Sequence, residues 1–244
     1  MPSFSKNTKG LIYRLYNSGV ADKVVSLIDE SGKKVSALAK GVKKQNSKKA
    51  YSIEIGNFVK MSLLQGYSTP IVTEAILINE FQLWKHDLKT ITSLQFLCEI
   101  IDNFTFEENI DSSVFDIFYE VLNSKPEKLT LTLSYFILKL LNTTGNLPEI
   151  NFYVNTGEPI AVGEGYFSEA TIGYVTRDIS SQNNKVNPLI YKSQRFILGT
   201  TLNNVTKLDL NTELENAMFR MHLSWLNQVL GKKLKSLDIL LKVI

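Results

Sequence analysis

The chain has 244 residues, of which 44% are hydrophobic and 10% aromatic, enough to bury the core of one large domain or two smaller ones. A single cysteine excludes an intramolecular disulfide, and the absence of a signal-peptide pattern or of a run of about 18 apolar residues predicts a cytoplasmic protein. The net charge of +3 divides unevenly, as +6 in residues 1–80, −8 in residues 81–180 and +5 in residues 181–244, which indicates a face that binds a polyanion or an acidic partner.

The first 80 residues show the period-two pattern and the turn residues of short β-strands. The predicted strands cover residues 10–16, 23–29, 33–39, 58–64 and 71–78. Gly32, between the second and third of these runs, indicates a hairpin. Five short strands predict a small closed barrel, because closure removes exposed strand edges, and an OB-type barrel is the natural candidate.

After about residue 81 the apolar residues follow the period of an α-helix. Helices are predicted over residues 83–104, 112–122, 126–141, 188–198, 212–230 and 235–242. Thr212 and Glu215 have the spacing of a capping box. Residues 146–182, punctuated by glycine and proline, are predicted to form a small loop-and-hairpin insert. The fold class is therefore α+β, with an OB-fold domain over residues 1–80 and a mainly helical domain over residues 81–244.

The familiar motifs of catalysis are absent from the sequence. There is no phosphate-binding loop, no dinucleotide-binding glycine pattern, no serine nucleophile elbow and no HExxH zinc motif. His86 and His222 have no cysteine or carboxylate at ligand spacing. The sequence therefore predicts a protein that is not an enzyme and has no cofactor, although an unrecognised acidic site in residues 81–180 stays an alternative.

The most conspicuous feature is a lysine-rich segment without acidic residues. Seven of the 17 residues from 33 to 49 are lysine, namely Lys33, Lys34, Lys40, Lys43, Lys44, Lys48 and Lys49. Ammonium groups in such a series can neutralise a phosphate backbone, and nearby aromatic rings can stack on unpaired bases. The aromatic candidates are Tyr13, Tyr16, Tyr51 and Phe58. A solvated lysine loop beside tyrosines of the barrel core is the alternative interpretation.

Five segments carry a resemblance to the RecO family of bacterial recombination mediators. They are GLIY over residues 10–13, DKVVSL over residues 22–27, GKKVSALAKGVKK over residues 32–44, LINEF over residues 77–81 and LGKKLKSLD over residues 230–238. The resemblance implies an OB-fold barrel followed by a helical domain, and a protein that binds single- and double-stranded DNA and anneals complementary strands. It also implies that the protein acts with RecR to load RecA onto strands coated by single-strand binding protein, and is associated with the nucleoid.

Carried over residue by residue, the family's basic strand and loop match Lys33, Lys34, Lys40, Lys43 and Lys44. Lys48 and Lys49 extend this patch, and Arg14 and Lys23 are further candidates for nucleic-acid binding.

One departure from the family concerns a zinc site. Many members hold zinc with two Cys-x-x-Cys pairs in the insert, but here Tyr153 and Thr156 stand where the first pair would be, and the second pair is missing near residues 176–179. Tyrosine and threonine cannot replace thiolate ligands, so no metal is expected.

The family's helical domain is expected to bind the acidic, hydrophobic-ended tail of single-strand binding protein. Two groupings of a cation with an aromatic residue could serve: Lys192 and Arg195 with Phe196, or Arg220 with Trp225. Plain amphipathic helices with cationic outer faces explain both groupings equally well. No membrane partner is expected, and an OB-fold module for RNA or the ribosome is the alternative function.

Overall fold

The computed structural model describes residues 4–65, 69–104, 112–160, 165–168, 171, 173–176 and 184–244. The chain divides into two compact units, one of Met1–Pro126 with Leu234–Ile244 and the other of Glu127–Lys233. Strands dominate the beginning of the chain and helices the rest, so the predicted α+β class is confirmed. None of the helices in the described ranges is long and apolar enough to cross a membrane.

Five strands of the first unit form the barrel. They are β1 Phe4–Ser18, β2 Asp22–Asp29, β3 Lys34–Ala39, β4 Phe58–Gln65 and β5 Ile71–Asn79. Their pairings run in the order β1-β2-β3-β5-β4 and return to β1, which is the order of an OB-type Greek-key barrel. The β3–β5 seam is the weakest part of this ring, because it contains a single parallel pair, Leu38 with Ile71.

The long first strand, β1, pairs with two neighbouring strands. Residues 10–18 pair with β2 and residues 4–11 pair with β4, with a bulge between Ile12 and Arg14. A bulge bends and twists a strand, which lets β1 pass from one side of the barrel to the other. At the crossing, a Cβ on Gly10 would lie 2.4 Å from the carbonyl oxygen of Ile28, so only glycine allows this close approach.

The barrel core also fixes the connection between β3 and β4. Val42 and Ile53 of this connection are buried in the same cluster as the inward-facing Val25, Val59 and Met61. Burial of these two side chains anchors the connection at two points, and Lys43, Lys44 and Lys48 between them are exposed.

The helices of the first unit are α1 Leu88–Asn103, α2 Ser113–Asn123 and α7 Leu237–Val243. The helix predicted from residue 83 instead begins with a separate 3-10 turn, Gln82–Lys85, because Asp87 and Thr90 form a capping box that starts α1. Glu99 of α1 accepts hydrogen bonds from the backbone N–H groups of Lys235 and Ser236, both at 2.8 Å, which ties α7 to this unit.

Strands give way to helices near residue 80, as the sequence predicts, whereas the compact units divide between Pro126 and Glu127. The rings of Phe115 and Tyr119 on α2 lie 5.8 Å and 5.4 Å from that of Phe58 in the barrel, which groups α2 with the strands. A domain boundary at residue 80 stays a prediction.

The second unit contains four helices in the described ranges and a small sheet. The helices are α3 Leu129–Thr143, α4 Pro188–Leu198, α5 Leu202–Val205 and α6 Thr212–Leu230, and the strands are β6 Tyr166–Ser168, β7 Gly173–Val175 and β8 Asn184–Lys185. The predicted capping box at Thr212 is wrong by one residue, because the side chain of Asn211 accepts the hydrogen bond from the N–H of Leu214. Much of the predicted insert, including residues 161–164 and 177–182, lies outside the described residues.

Candidate nucleic-acid interface

The lysine-rich connection is held against the turn between β1 and β2. The backbone N–H of Gly41 donates to the carboxylate of Asp22 at 2.7 Å, and the N–H of Lys43 donates to the carbonyl of Ala21 at 3.0 Å. Two further turns follow, with N–H to carbonyl hydrogen bonds from Lys44 to Gly41 and from Ser47 to Lys44. The loop backbone therefore has a defined course at this end of the barrel.

Four lysines of this loop point outward, and we call them the loop lysines: Lys40, Lys43, Lys44 and Lys48. All four are exposed, and within the described ranges no residue accepts a hydrogen bond or forms an ion pair with their ammonium groups. Their charges are therefore available to an external anion.

Two other predicted residues lie at the same end of the barrel but are less exposed. The ammonium group of Lys49 donates to the carbonyl of Val72 at 2.8 Å, so this side chain fixes the loop to β5. Lys23 is half-buried on β2, where it pairs with Asn17 of β1 and Ala39 of β3.

Lys33 and Lys34 lie at the opposite end of β3 from the loop lysines, about 17 Å along the strand. Lys33 is exposed, whereas the ammonium group of Lys34 donates to the carbonyls of Asp102 and Phe104, at 3.1 Å and 2.8 Å. Burial lowers the pKa of Lys34 to about 8. A cation at this position satisfies carbonyls at the C-terminal end of α1.

Arg14 is also engaged within the first unit. Its guanidinium forms an ion pair with Asp102 at 3.0 Å and lies over the ring of Tyr16, 5.2 Å from the centroid. The predicted residues thus divide into an outward set, the loop lysines with Lys33, and the remaining four. Of those four, Lys34 and Arg14 hold the barrel to α1, Lys49 holds the loop to β5, and Lys23 is half-buried on β2. A DNA contact by any of them stays a prediction.

The four aromatic candidates separate in the same way. Tyr13 and Phe58 are buried, and burial raises the pKa of Tyr13 to about 12. Tyr16 is 47% exposed and Tyr51 is 62% exposed, so only these two offer a ring to a ligand. The hydroxyl of Tyr51 donates to the carboxylate of Glu80 at 2.5 Å.

Sequence reasoning missed a second cationic feature of the barrel. Lys9 on β1 lies directly opposite Lys60 on β4, and both are exposed. Like charges across a strand pair repel each other, and a bound anion would relieve that repulsion. The two residues are 51 positions apart, and only the strand register brings them together.

The second unit contains a groove of about 580 Å³ between α4, α6 and the small sheet. Its apolar lining includes Phe167, Ile190 and Leu214, and the exposed cations Lys185 and Arg220 also line it. Glu213 contributes one acidic side chain.

The two predicted cation–aromatic groupings differ in structure. Arg195 donates hydrogen bonds to the carbonyls of Ile150 and Asn151 at 3.1–3.2 Å, so it stabilises the loop that follows α3. Arg220 lines the groove, but Trp225 is buried beneath it, with its ring 5.6 Å from that of Phe167.

The segment that corresponds to the family's zinc site is held by hydrogen bonds. Tyr153 is buried, and Thr156 is exposed. The amide of Asn155 donates to the hydroxyl of Thr176 at 2.8 Å, and the N–H of Thr176 donates to Asn155 at 3.2 Å. These residues supply no thiolate or imidazole, so they do not fit a zinc ion, and the described residues contain no metal-binding group of His, Cys, Asp and Glu. Residues 177–179 lie outside the described residues.

The first unit has a five-stranded barrel of OB-type order, with a lysine-rich loop at its β1–β2 end, and helices follow the barrel in the chain. The chain is therefore an OB-fold protein with an appended helical region. Comparison with known proteins supports this assignment. The family model described as Recombination protein O C terminal matches residues 85–238, and the chain therefore belongs to the RecO family.

Curated relatives cover most of the chain. It is 28% identical to the DNA repair protein RecO of Clostridium acetobutylicum over 241 residues, which cover 96% of each chain. It is 28% identical to that of Clostridium novyi over 95% of this chain and 92% of the relative. It is 24% identical to one from Dehalococcoides mccartyi over 85% of this chain and 83% of the relative. The predicted family is confirmed, and with it a role in DNA repair and recombination.

Proposed function

We propose that this chain is a non-catalytic recombination mediator that binds single- and double-stranded DNA through the loop lysines. The observation that carries the proposal is the outward display of these four ammonium groups on a hydrogen-bonded loop. Each phosphate that a lysine neutralises releases condensed counterions, which provides affinity without regard to sequence.

Annealing follows from the same charges. Two complementary strands repel each other through their phosphates, and a cationic surface that holds both lowers this repulsion. In the cell the protein would act with RecR to help load RecA onto strands coated by single-strand binding protein, as the family resemblance implies.

The groove of the second unit is the proposed binding site for the tail of single-strand binding protein. An acidic peptide with an apolar end needs cations beside an apolar concavity, and the groove has Lys185 and Arg220 beside Phe167, Ile190 and Leu214. The alternative grouping is a weaker candidate, because Arg195 already donates to backbone carbonyls.

The groove proposal predicts that Arg220→Glu weakens binding of a fluorescein-labelled acidic peptide with an apolar C-terminal residue. We expect at least about a tenfold loss by fluorescence anisotropy, since the substitution replaces attraction with repulsion in a partly desolvated site. Lys207→Glu makes the same charge change at an exposed position of the same unit outside the groove lining, and should leave the peptide affinity unchanged. Equal affinities of the wild type and Arg220→Glu would remove the groove from consideration.

The function is tested by competition between nucleic acids. A labelled single-stranded DNA bound to the wild-type protein is challenged with unlabelled DNA and RNA of the same sequence. The proposal expects DNA to compete at least as well as RNA and expects the complex to anneal added complementary DNA. Displacement by RNA alone, without annealing of DNA, would favour the RNA-binding alternative.

A further inference from the structure

Tyr16 lies near the end of β1, at the same end of the barrel as the loop lysines. It pairs with Val24 of β2, and the next pair along these strands joins Asn17 to Lys23. The turn that follows contains Ala21, whose carbonyl accepts the N–H of Lys43. Only β2 separates β1 from β3, where the loop begins, so the two strands are about 10 Å apart.

The guanidinium of Arg14 packs against one face of the Tyr16 ring and restricts its position. The guanidinium of Arg14 lies 5.2 Å from its centroid, and Asp102 holds that guanidinium through an ion pair at 3.0 Å. The side chain is still 47% exposed. A ring that is fixed before binding loses less conformational entropy when a ligand stacks on it.

Tyr51 is more exposed, but its surroundings are acidic. Its hydroxyl donates to Glu80, and the charges of Glu80 and Glu54 raise its pKa, with the Glu80 hydrogen bond as the main cause. A phosphate backbone that approached Tyr51 would meet these carboxylates. At Tyr16 the charged group against the ring is the guanidinium of Arg14, which is paired with Asp102, and within the described ranges no carboxylate accepts a hydrogen bond from the Tyr16 hydroxyl.

We propose that Tyr16 is a stacking platform for an unpaired base, and that this end of the barrel therefore prefers single strands to duplex DNA. The inference rests on the proposed function and specifies its preferred ligand. A base within a duplex hides both faces in the stack, whereas an unpaired base can lie on an aromatic ring. The loop lysines hold the phosphates, and Tyr16 adds the discrimination that charge alone does not provide.

The test measures affinity for a single-stranded oligonucleotide and for its duplex across a salt series. Tyr16→Ala should weaken single-strand binding about tenfold and duplex binding by less than about twofold, in line with the loss of one stacked base. The slope of affinity against salt should not change, because no cation is removed. Tyr16→Phe should behave as the wild type, and Tyr51→Ala is the matched control for loss of an exposed tyrosine.

A spectroscopic readout separates stacking from packing. The fluorescence of 2-aminopurine in the single strand should be quenched on binding to the wild type and to Tyr16→Phe. It should be quenched less by Tyr16→Leu, which keeps apolar bulk without an aromatic ring.

Wild-type affinity and quenching in the folded Tyr16→Ala and Tyr16→Leu variants would overturn the inference, as would an equal loss of single-strand and duplex binding. Those results leave the proposed function standing if removal of the loop lysines still reduces affinity. A wild-type protein that binds neither form of DNA would instead overturn the proposed function.

Discussion

Replacing the loop lysines Lys40, Lys43, Lys44 and Lys48 together by alanine is expected to reduce affinity for single-stranded DNA by on the order of 100-fold at about 0.1 M salt. Each phosphate contact contributes about 0.7 to the log–log salt dependence on a single strand, so the slope should flatten by about 3. The fold should persist, because all four side chains are exposed and the core residues Val42 and Ile53 are unchanged. Fluorescence anisotropy at four or more salt concentrations measures both quantities.

The matched control changes net charge equally at other exposed positions. Lys89, Lys125, Lys207 and Lys242 lie on or beside helices and are all exposed. Their replacement by alanine should change the slope of the log–log salt dependence by no more than about 0.7, the contribution of one phosphate contact. A control that loses as much affinity as the loop variant would show that overall charge, and not the loop, determines binding.

Lys34 is left intact in this variant for a structural reason. Its ammonium group satisfies the carbonyls of Asp102 and Phe104 at the end of α1, so its removal would disturb the contact between barrel and helix. A loss of binding after that change could not be assigned to DNA contact.

The second large effect concerns a buried polar network in the second unit. The hydroxyl of Tyr174 donates to Gln194 at 2.7 Å, and the amide nitrogen of Gln194 lies 3.1 Å from the Nε2 atom of His222. His222 is fully buried, 5.3 Å from Trp225 between ring centroids. Burial lowers the pKa of this imidazole to about 3, since a charged ring would lose its hydration.

The free energy of unfolding of this unit should therefore fall as the pH falls from about 6.5 to about 3. In that window the unfolded chain binds a proton at His222 and the folded chain does not, so acid favours unfolding. The loss should approach about 1.4 kcal/mol per pH unit and roughly 4–5 kcal/mol in all. Urea denaturation at a series of pH values measures it. A Trp84→Phe background leaves Trp225 as the sole tryptophan, so fluorescence reports on this unit.

The control is His222→Gln, which keeps a polar side chain but cannot titrate. Its free energy of unfolding should be lower at neutral pH, because packing and the Gln194 contact are disturbed. The decline of this free energy with falling pH should be less steep than in the wild type, by the contribution of about one bound proton. His86→Gln removes the other, exposed imidazole and provides the comparison. An identical acid dependence for the wild type and His222→Gln would contradict the assigned burial of a neutral imidazole.

The barrel could be predicted from sequence because its strands are short, alternating and separated by turn residues. The exposure of individual strand residues could not. Strict alternation would place Arg14 and Tyr16 on the same face as the buried Ile12, and the bulge between Ile12 and Arg14 turns them outward.

The site was predictable in composition but not in geometry. Lys34 and Lys43 look alike in the sequence, yet one is fixed by Asp102, 68 residues away, and the other is exposed. The groove around Arg220 likewise combines residues from distant parts of the chain, which no local pattern reveals. Periodicity predicts local structure well, whereas contacts between distant segments determine which charges remain exposed.

The most direct test of the account is the annealing of two complementary oligonucleotides that are both coated with the cognate single-strand binding protein. We expect the wild-type chain to accelerate duplex formation strongly and the loop-lysine variant to accelerate it little, with the difference shrinking as salt rises. Duplex formation at the same rate with and without the folded wild-type protein would contradict the proposed mediator function.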